Sequence, residues 1–293
     1  MKFPMNLFRR KQQVPVLTGS TSSSKLLSPH SSFGVAESYR SLRTNLMYSG
    51  RNEEKPVFAV ISASPNEGKS LNCANIAISF AQLGRRVLLL DCDMRNPTQG
   101  RIFNMKNRHG VSEYLAGLYS EPLAQPTAYE NLFVMAAGKI PPNPTELLSG
   151  ERFAQLIAYA RANYDYVFVD LPPLTIVTDA LIVAPKMSGY IFVVEMGKSD
   201  VRAIHDSIDS LKSVSATVVG FVLNEMNPKT GGYYRRSYKY DYRYDGKGRY
   251  GYRYGRYVVH DYGSYGYASS AAAGSLSAAD GGETARTDEK PEQ

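Results

Sequence analysis

Cysteine is scarce in this 293-residue chain: only Cys73 and Cys92 occur, both in segments that read as core helix and core strand. Two such positions argue against a disulfide framework and for a reducing compartment. Long apolar runs are missing as well. No window approaches the roughly 20 apolar residues of a membrane-spanning helix. Met1 to Gln13 carries Lys2, Arg9, Arg10 and Lys11 but not the apolar stretch of a signal peptide. A cytoplasmic location is expected.

What is present is periodic. Residues 14–32 are rich in Ser, Thr and Gly and read, with the N-terminus, as a flexible leader over 1–32, helical character starting at Glu37 to Met47. Short apolar runs then alternate with longer amphipathic stretches. Val57 to Ile61, Val87 to Leu90, Leu132 to Met135, Tyr166 to Val169, Tyr190 to Val194 and Thr217 to Leu223 read as strands. Their near-continuous Val, Ile, Leu and Phe is the pattern of strands covered on both faces, with Ser70 to Leu83 and Gly150 to Asn163 among the covering helices. The expected fold is a P-loop-type, doubly wound α/β domain over 33–230 with a mainly parallel sheet.

The first of these strands runs into Ala63-Ser64-Pro65-Asn66-Glu67-Gly68-Lys69-Ser70, and a helical pattern follows. Strand, tight loop and helix are the context of a phosphate-binding loop. There, Ser64 to Ser70 surround a polyphosphate with backbone N–H groups, Lys69 neutralises the outer phosphates, and the Ser70 hydroxyl reaches Mg²⁺. Glycine is absent from the first position of that pattern, where Ala63 stands, and a Cβ there is expected to restrict the turn. Carboxylates close two further strands, in Asp91-Cys92-Asp93-Met94-Arg95 and in Tyr166-Val167-Phe168-Val169-Asp170-Leu171-Pro172-Pro173. Each could be a helix cap or a solvated loop charge, but ligands bind at the carboxyl edge of such sheets. The three segments together point to a nucleotide and metal site, with Asp170 as a Walker B residue.

Beyond residue 230 the pattern stops. Thirteen of the 22 tyrosines fall between Tyr233 and Tyr267: Tyr233, Tyr234, Tyr238, Tyr240, Tyr242, Tyr244, Tyr250, Tyr252, Tyr254, Tyr257, Tyr262, Tyr265 and Tyr267. Eight Lys or Arg against three Asp give that stretch a net charge of +5. An Ala/Ser/Gly/acidic end, 268–293, follows, and both segments are expected to be disordered in isolation. A basic aromatic strip also suits single-stranded nucleic acid or an anionic membrane, although a nucleic-acid partner is not the expectation. Beside a phosphate loop, the tyrosines read as phosphoacceptors.

This order of Walker A, Asp-x-Asp-x-Arg and apolar-Asp-x-x-Pro motifs resembles the bacterial tyrosine kinases (BY-kinases) of capsule and exopolysaccharide synthesis, over roughly residues 33–267. Three other segments are similar to that family: Glu37-Ser38-Tyr39-Arg40-Ser41-Leu42-Arg43 to its self-association motif, Gly110 to Leu115, and Gly138-Lys139-Ile140-Pro141-Pro142-Asn143-Pro144. The resemblance implies an ATP- and Mg²⁺-dependent protein-tyrosine autokinase. Lys69 and Ser70 would bind nucleotide and metal, Asp93 and Asp170 would organise the metal, and Asp91 would approach the acceptor hydroxyl. Arg95 is a further candidate for a phosphate or structural contact. Asn224 stands where an amide would face adenine, or is a turn residue. Spacing alone makes Glu37, Arg40 and Arg43 an intrahelical salt-bridge series worth a few tenths of a kcal/mol per pair; the resemblance makes them a contact in a ring-shaped homo-oligomer. It also implies a transmembrane polysaccharide co-polymerase as activator, recruitment by it to the inner membrane face, and enzymes of sugar-nucleotide or polysaccharide synthesis as further partners. The alternatives are a MinD/ParA-like assembly ATPase, whose Lys-Gly-Gly loop start is replaced here by Ser62-Ala63-Ser64, and a non-enzymatic nucleotide-gated scaffold with a binding tail.

Overall fold

The computed structural model describes residues 25–49, 54–105 and 109–225. Residues 231–267, with all thirteen tyrosines, and 268–293 lie outside the described residues, as does 1–24 of the leader.

The chain runs α1 (Phe33–Ser49), β1 (Val57–Ser62), α2 (Lys69–Ala81), β2 (Val87–Asp91), α3 (Gln99–Ile102), α4 (Val111–Leu115), β3 (Gln125–Pro126), β4 (Leu132–Met135), α5 (Pro144–Ser149), α6 (Glu151–Asn163), β5 (Tyr166–Asp170), α7 (Asp179–Ile182), β6 (Gly189–Glu195), α8 (Val201–Ser213) and β7 (Val218–Asn224). One seven-stranded sheet has the order β3-β4-β2-β5-β1-β6-β7. Every neighbouring pair is parallel except β3–β4. The sheet is thus the mainly parallel one that the doubly covered strand pattern predicts. β3 was not predicted, because two residues, one of them proline, carry no strand period and fit only an edge.

Alternate side chains of the same strands build two cores. Val57, Ala59 and Ile61 of β1 join Leu88, Leu90, Val167 and Val169 on one face, under Leu156, Ile157 and Ala160 of α6. Phe58 and Val60 join Leu89, Phe168, Ile191 and Val193 on the other, under α2. All of β1 and β2 is therefore buried, and each such Val, Leu, Ile or Phe contributes roughly 1.5–3 kcal/mol by leaving water. α2 itself is buried on almost every side, because α1 covers the face turned away from the sheet.

Packing reaches further upstream than the expected boundary at Phe33. Leu26 and Leu27 are buried in the α2-side core. Asn75 of α2 holds that segment: its Oδ1 accepts the Leu27 N–H at 2.8 Å, and its Nδ2 donates to the Lys25 carbonyl at 3.2 Å. Two leucines within a Ser-rich stretch carry no period, so local pattern could not reveal them. Among the described residues, no helix is long and apolar enough to cross a membrane.

Candidate functional site

The strand order sets the C-terminal ends of β2, β5 and β1 side by side, with Asp91 paired to Asp170 and Asp170 paired to Val60. The loop from Ser62 to Lys69 crosses that edge. Ala63 is buried and is not among the residues with left-handed backbone; its carbonyl accepts the N–H and hydroxyl of Thr175 at 3.1 and 2.7 Å. The expected restriction at Ala63 therefore does not arise. Backbone freedom is needed instead at Asn66 (φ 60°), a residue type that tolerates that region, and at Gly68 (φ 84°). A Cβ on Gly68 would collide with the Asn224 amide.

Several contacts shape the loop from outside. The buried Glu67 carboxylate accepts the Ser64 N–H at 3.0 Å and the Ser199 hydroxyl. Lys198 Nζ donates to the Asn66 carbonyl at 2.6 Å and to Glu195 at 2.9 Å. Asn224 Nδ2 donates to the Glu67 carbonyl at 3.2 Å. Asn224 thus holds the loop through its amide nitrogen, and Lys198 and Ser199, which sequence reasoning did not single out, complete the support.

Lys69 lies at the centre. Its ammonium is 2.6 Å from Asp93 Oδ2, 3.4 Å from Asp170 Oδ1 and 3.2 Å from Ser70 Oγ. Burial alone would lower its pKa, but the carboxylates of Asp170 and Asp93 outweigh burial and raise it, so the side chain stays charged. Asp91 is fully enclosed. Its Oδ2 accepts the N–H groups of Thr98 and Gln99 at 3.1 and 2.9 Å, and its Oδ1 has no partner. Burial first, then the Asp170 charge, pushes the Asp91 carboxyl well above the usual carboxylate range. The Asp93 and Asp170 carboxylates face one ammonium, a setting that can also take a divalent cation. Among the described residues no cluster of three His, Cys, Asp or Glu could hold a metal alone. Mg²⁺ is usually bound through one or two carboxylates, waters and substrate phosphates. Ser70, Asp93 and Asp170 surround one point and fit that pattern.

Arg95 makes a structural contact. Its Nε and Nη2 reach Asp179 Oδ2 and Oδ1 at 3.2 and 3.3 Å, and Nη2 donates to Thr145 Oγ1 at 2.8 Å. Downstream, the Glu113 carboxylate accepts the N–H groups of Gly110 and Lys139, each at 3.0 Å, and the Ser112 hydroxyl at 3.0 Å. The two segments Gly110 to Leu115 and Gly138 to Pro144 are thereby clamped together. The trio on α1 does not share one face: Glu37 and Arg40 pair at 3.0 Å on the surface, while Arg43 turns inward and donates to the Ser79 carbonyl at 2.5 Å.

Comparison with known proteins follows the same lines. Residues 53–232 match the family model described as ParA, NUBPL iron-transfer P-loop NTPase. The chain is 36% identical over 200 residues to the tyrosine-protein kinase CpsD of Streptococcus pneumoniae, covering 67% of this chain and 87% of that protein. It is 36% identical over 213 residues to the tyrosine-protein kinase wzc of Salmonella typhimurium, covering 72% of this chain but only 30% of the relative's length. The crystal structure of the chimerical protein CapA2B2 superposes with a TM-score of 0.65 at 33% identity, covering 69% of this chain and 90% of that one.

Proposed function

This chain belongs to the bacterial tyrosine-protein kinases, and on that premise we propose that it is an ATP-dependent autokinase acting on its own tyrosine cluster in capsule or exopolysaccharide synthesis. The observation that carries the reading is the convergence of Lys69, Ser70, Asp93 and Asp170 on one point at the sheet edge. The phosphate loop, from Ser64 to Ser70, binds the nucleotide, and Lys69 moves its permanent charge from the acids to the phosphate oxygens. Ser70, Asp93 and Asp170 hold Mg²⁺, which when bound offsets charge developing on the transferred phosphoryl group. Asn224, which holds the loop through the Glu67 carbonyl, presents its amide to the adenine. The acceptor tyrosine oxygen bonds to the γ-phosphorus as the bond to ADP breaks, and the hydroxyl proton passes to the unpartnered Oδ1 of Asp91. Since a tyrosine hydroxyl ordinarily ionises near pH 10, positioning supplies most of the effect.

The acceptors are drawn from the thirteen tyrosines between Tyr233 and Tyr267. Each phosphate adds about −1.5 to −2 charge at neutral pH, so a few reverse the basic character of that stretch. The exposed Glu37–Arg40 pair offers charges to a neighbouring copy, with Arg43 anchoring α1 to α2 behind it, in a ring that lets one tail enter the next site. A transmembrane co-polymerase serves as activator and recruits the chain to the inner membrane face, and enzymes of sugar-nucleotide or polysaccharide synthesis are further partners.

Intact-mass measurement and phosphotyrosine mapping after incubation with Mg-ATP, with and without the cytoplasmic segment of the activator, test this reading. Successive phosphoryl additions on 233–267, abolished in a folded Lys69→Met variant, are expected. ATP turnover without phosphotyrosine despite a working activator would instead identify an assembly ATPase. Persistent self-phosphorylation in Lys69→Met would sink the site assignment.

A further inference from the structure

Gln99 touches all three nucleotide motifs at once. Its side-chain Nε2 donates to Asp170 Oδ2 at 2.8 Å and to the Ser70 carbonyl at 2.9 Å. Its backbone N–H donates to Asp91 Oδ2 at 2.9 Å. The residue is wholly buried, and it reaches these partners across 71, 29 and 8 positions of chain. A primary amide can supply two such donors from one nitrogen; a carboxylate or an aliphatic chain of the same length supplies neither.

The geometry of Asp170 gives the amide a specific task. Asp170 has two oxygens: Oδ2 is taken by Gln99, and Oδ1 points to the Lys69 ammonium at 3.4 Å. Fixing Oδ2 fixes the carboxylate plane and presents Oδ1 to the point where Lys69, Ser70 and Asp93 meet. The second donation holds the first turn of α2 through the Ser70 carbonyl, and so sets where the Ser70 hydroxyl projects. Two of the three groups expected to hold the divalent cation, Asp170 and Ser70, are thus oriented by one side chain. Supporting hydrogen bonds of this kind commonly change metal affinity by 10- to 100-fold when removed.

We infer that Gln99 is a positioning residue for the metal half of the site, orienting Asp170 and Ser70 for a divalent cation while leaving the phosphate cradle to the loop. The inference rests on the nucleotide-site reading above. It separates two quantities that a general packing role would change together: affinity for nucleotide alone, set by the loop, and the effect of Mg²⁺ on that affinity.

The test uses the full chain, a fluorescent N-methylanthraniloyl ADP and a Mg²⁺ titration. In Gln99→Met, which keeps length and volume, metal-free affinity should stay within about twofold of the natural chain, while the Mg²⁺ concentration for half-saturation rises at least about tenfold. If Gln99 acts through Asp170, adding Gln99→Met to Asp170→Asn should raise half-saturation by much less than it does in the natural background. An unchanged Mg²⁺ dependence in Gln99→Met, or equal losses of metal-free and metal-dependent affinity, overturns the inference. So does loss of the cooperative thermal transition in both Gln99→Met and Gln99→Leu, which assigns the residue to stability alone. Failure of the natural chain to bind the nucleotide under any condition overturns the nucleotide-site reading itself, a separate result.

Discussion

Truncating Arg95 should destabilise the protein more than neutralising its partner, and the asymmetry follows from where the two groups sit. The Asp179 side chain is 1% exposed, whereas that of Arg95 is 39% exposed. In Arg95→Ala the Asp179 carboxylate loses two charge-assisted hydrogen bonds and retains the Thr145 hydroxyl at 2.8 Å. Breaking a buried pair from one side costs about 3–5 kcal/mol; water already reaches the guanidinium, so about 2–3 kcal/mol is expected. In Asp179→Asn the amide keeps an acceptor for Thr145, and the freed guanidinium turns to solvent, limiting the loss to about 1 kcal/mol. The double variant should fall short of the sum by about 1–2 kcal/mol, because the two losses share one interaction. Urea unfolding followed by circular dichroism measures all four proteins, and the larger loss corresponds to roughly 4–12 °C in Tm at 2–4 °C per kcal/mol. Equal costs for the two single variants, or strict additivity in the double, would refute the account of Arg95 as a clamp between the β2 end, α5 and α7.

Two further outcomes are expected. Gly68→Ala must place a Cβ at φ 84° against the Asn224 amide; about 1–2 kcal/mol of backbone strain should lower the thermal midpoint and weaken nucleotide binding at least about tenfold, and an unaltered affinity would show that the loop tolerates another backbone path. Glu113 is held below the usual carboxylate range: burial opposes its charge, but the N–H of Lys139 and the other donors to the carboxylate prevail. A folded value below the unfolded one, near about 4.3, means its contribution is full above that value and is lost as pH falls through the folded one. The stability gap between the natural chain and Glu113→Gln should therefore close between pH 6 and pH 3, and a constant gap counts against the carboxylate clamp.

The fold was legible because strands buried on both faces write themselves as unbroken apolar runs, and Val57 to Ser62 and Val87 to Asp91 are buried at every position. The carboxylates were legible because each closes such a run. What escaped has a common cause in distance along the chain. Asp179 and Thr145, the partners of Arg95, lie 84 and 50 residues away, and the Asp170 partner of Gln99 lies 71 away. No local period marks a side chain whose role is to reach another motif. Leu26 and Leu27 escaped for the same reason: the Asn75 amide that anchors Leu27 is 48 residues downstream. Reading the motif alone also placed the demand for glycine at position 63, whereas backbone conformation places it at 68.

Topology, more than proximity in sequence, decides the electrostatics of the site. β5 enters the sheet between β1 and β2 although it follows both in the chain, and this insertion delivers Asp170 next to Asp91 and within reach of Lys69. Burial of Asp91 in the interior, and then the Asp170 charge beside it, raise the proton affinity of Asp91. Lys69 answers only part of that charge. A protein selected for stability alone would reduce the imbalance with apolar side chains, which often replace buried ions without loss. Retaining Asp93 and Asp170 on one buried ammonium is consistent with a site that also takes a ligand's cation, and on the inference above Gln99, fixing one oxygen of Asp170 and leaving the other toward Lys69, would set the direction from which that cation is met.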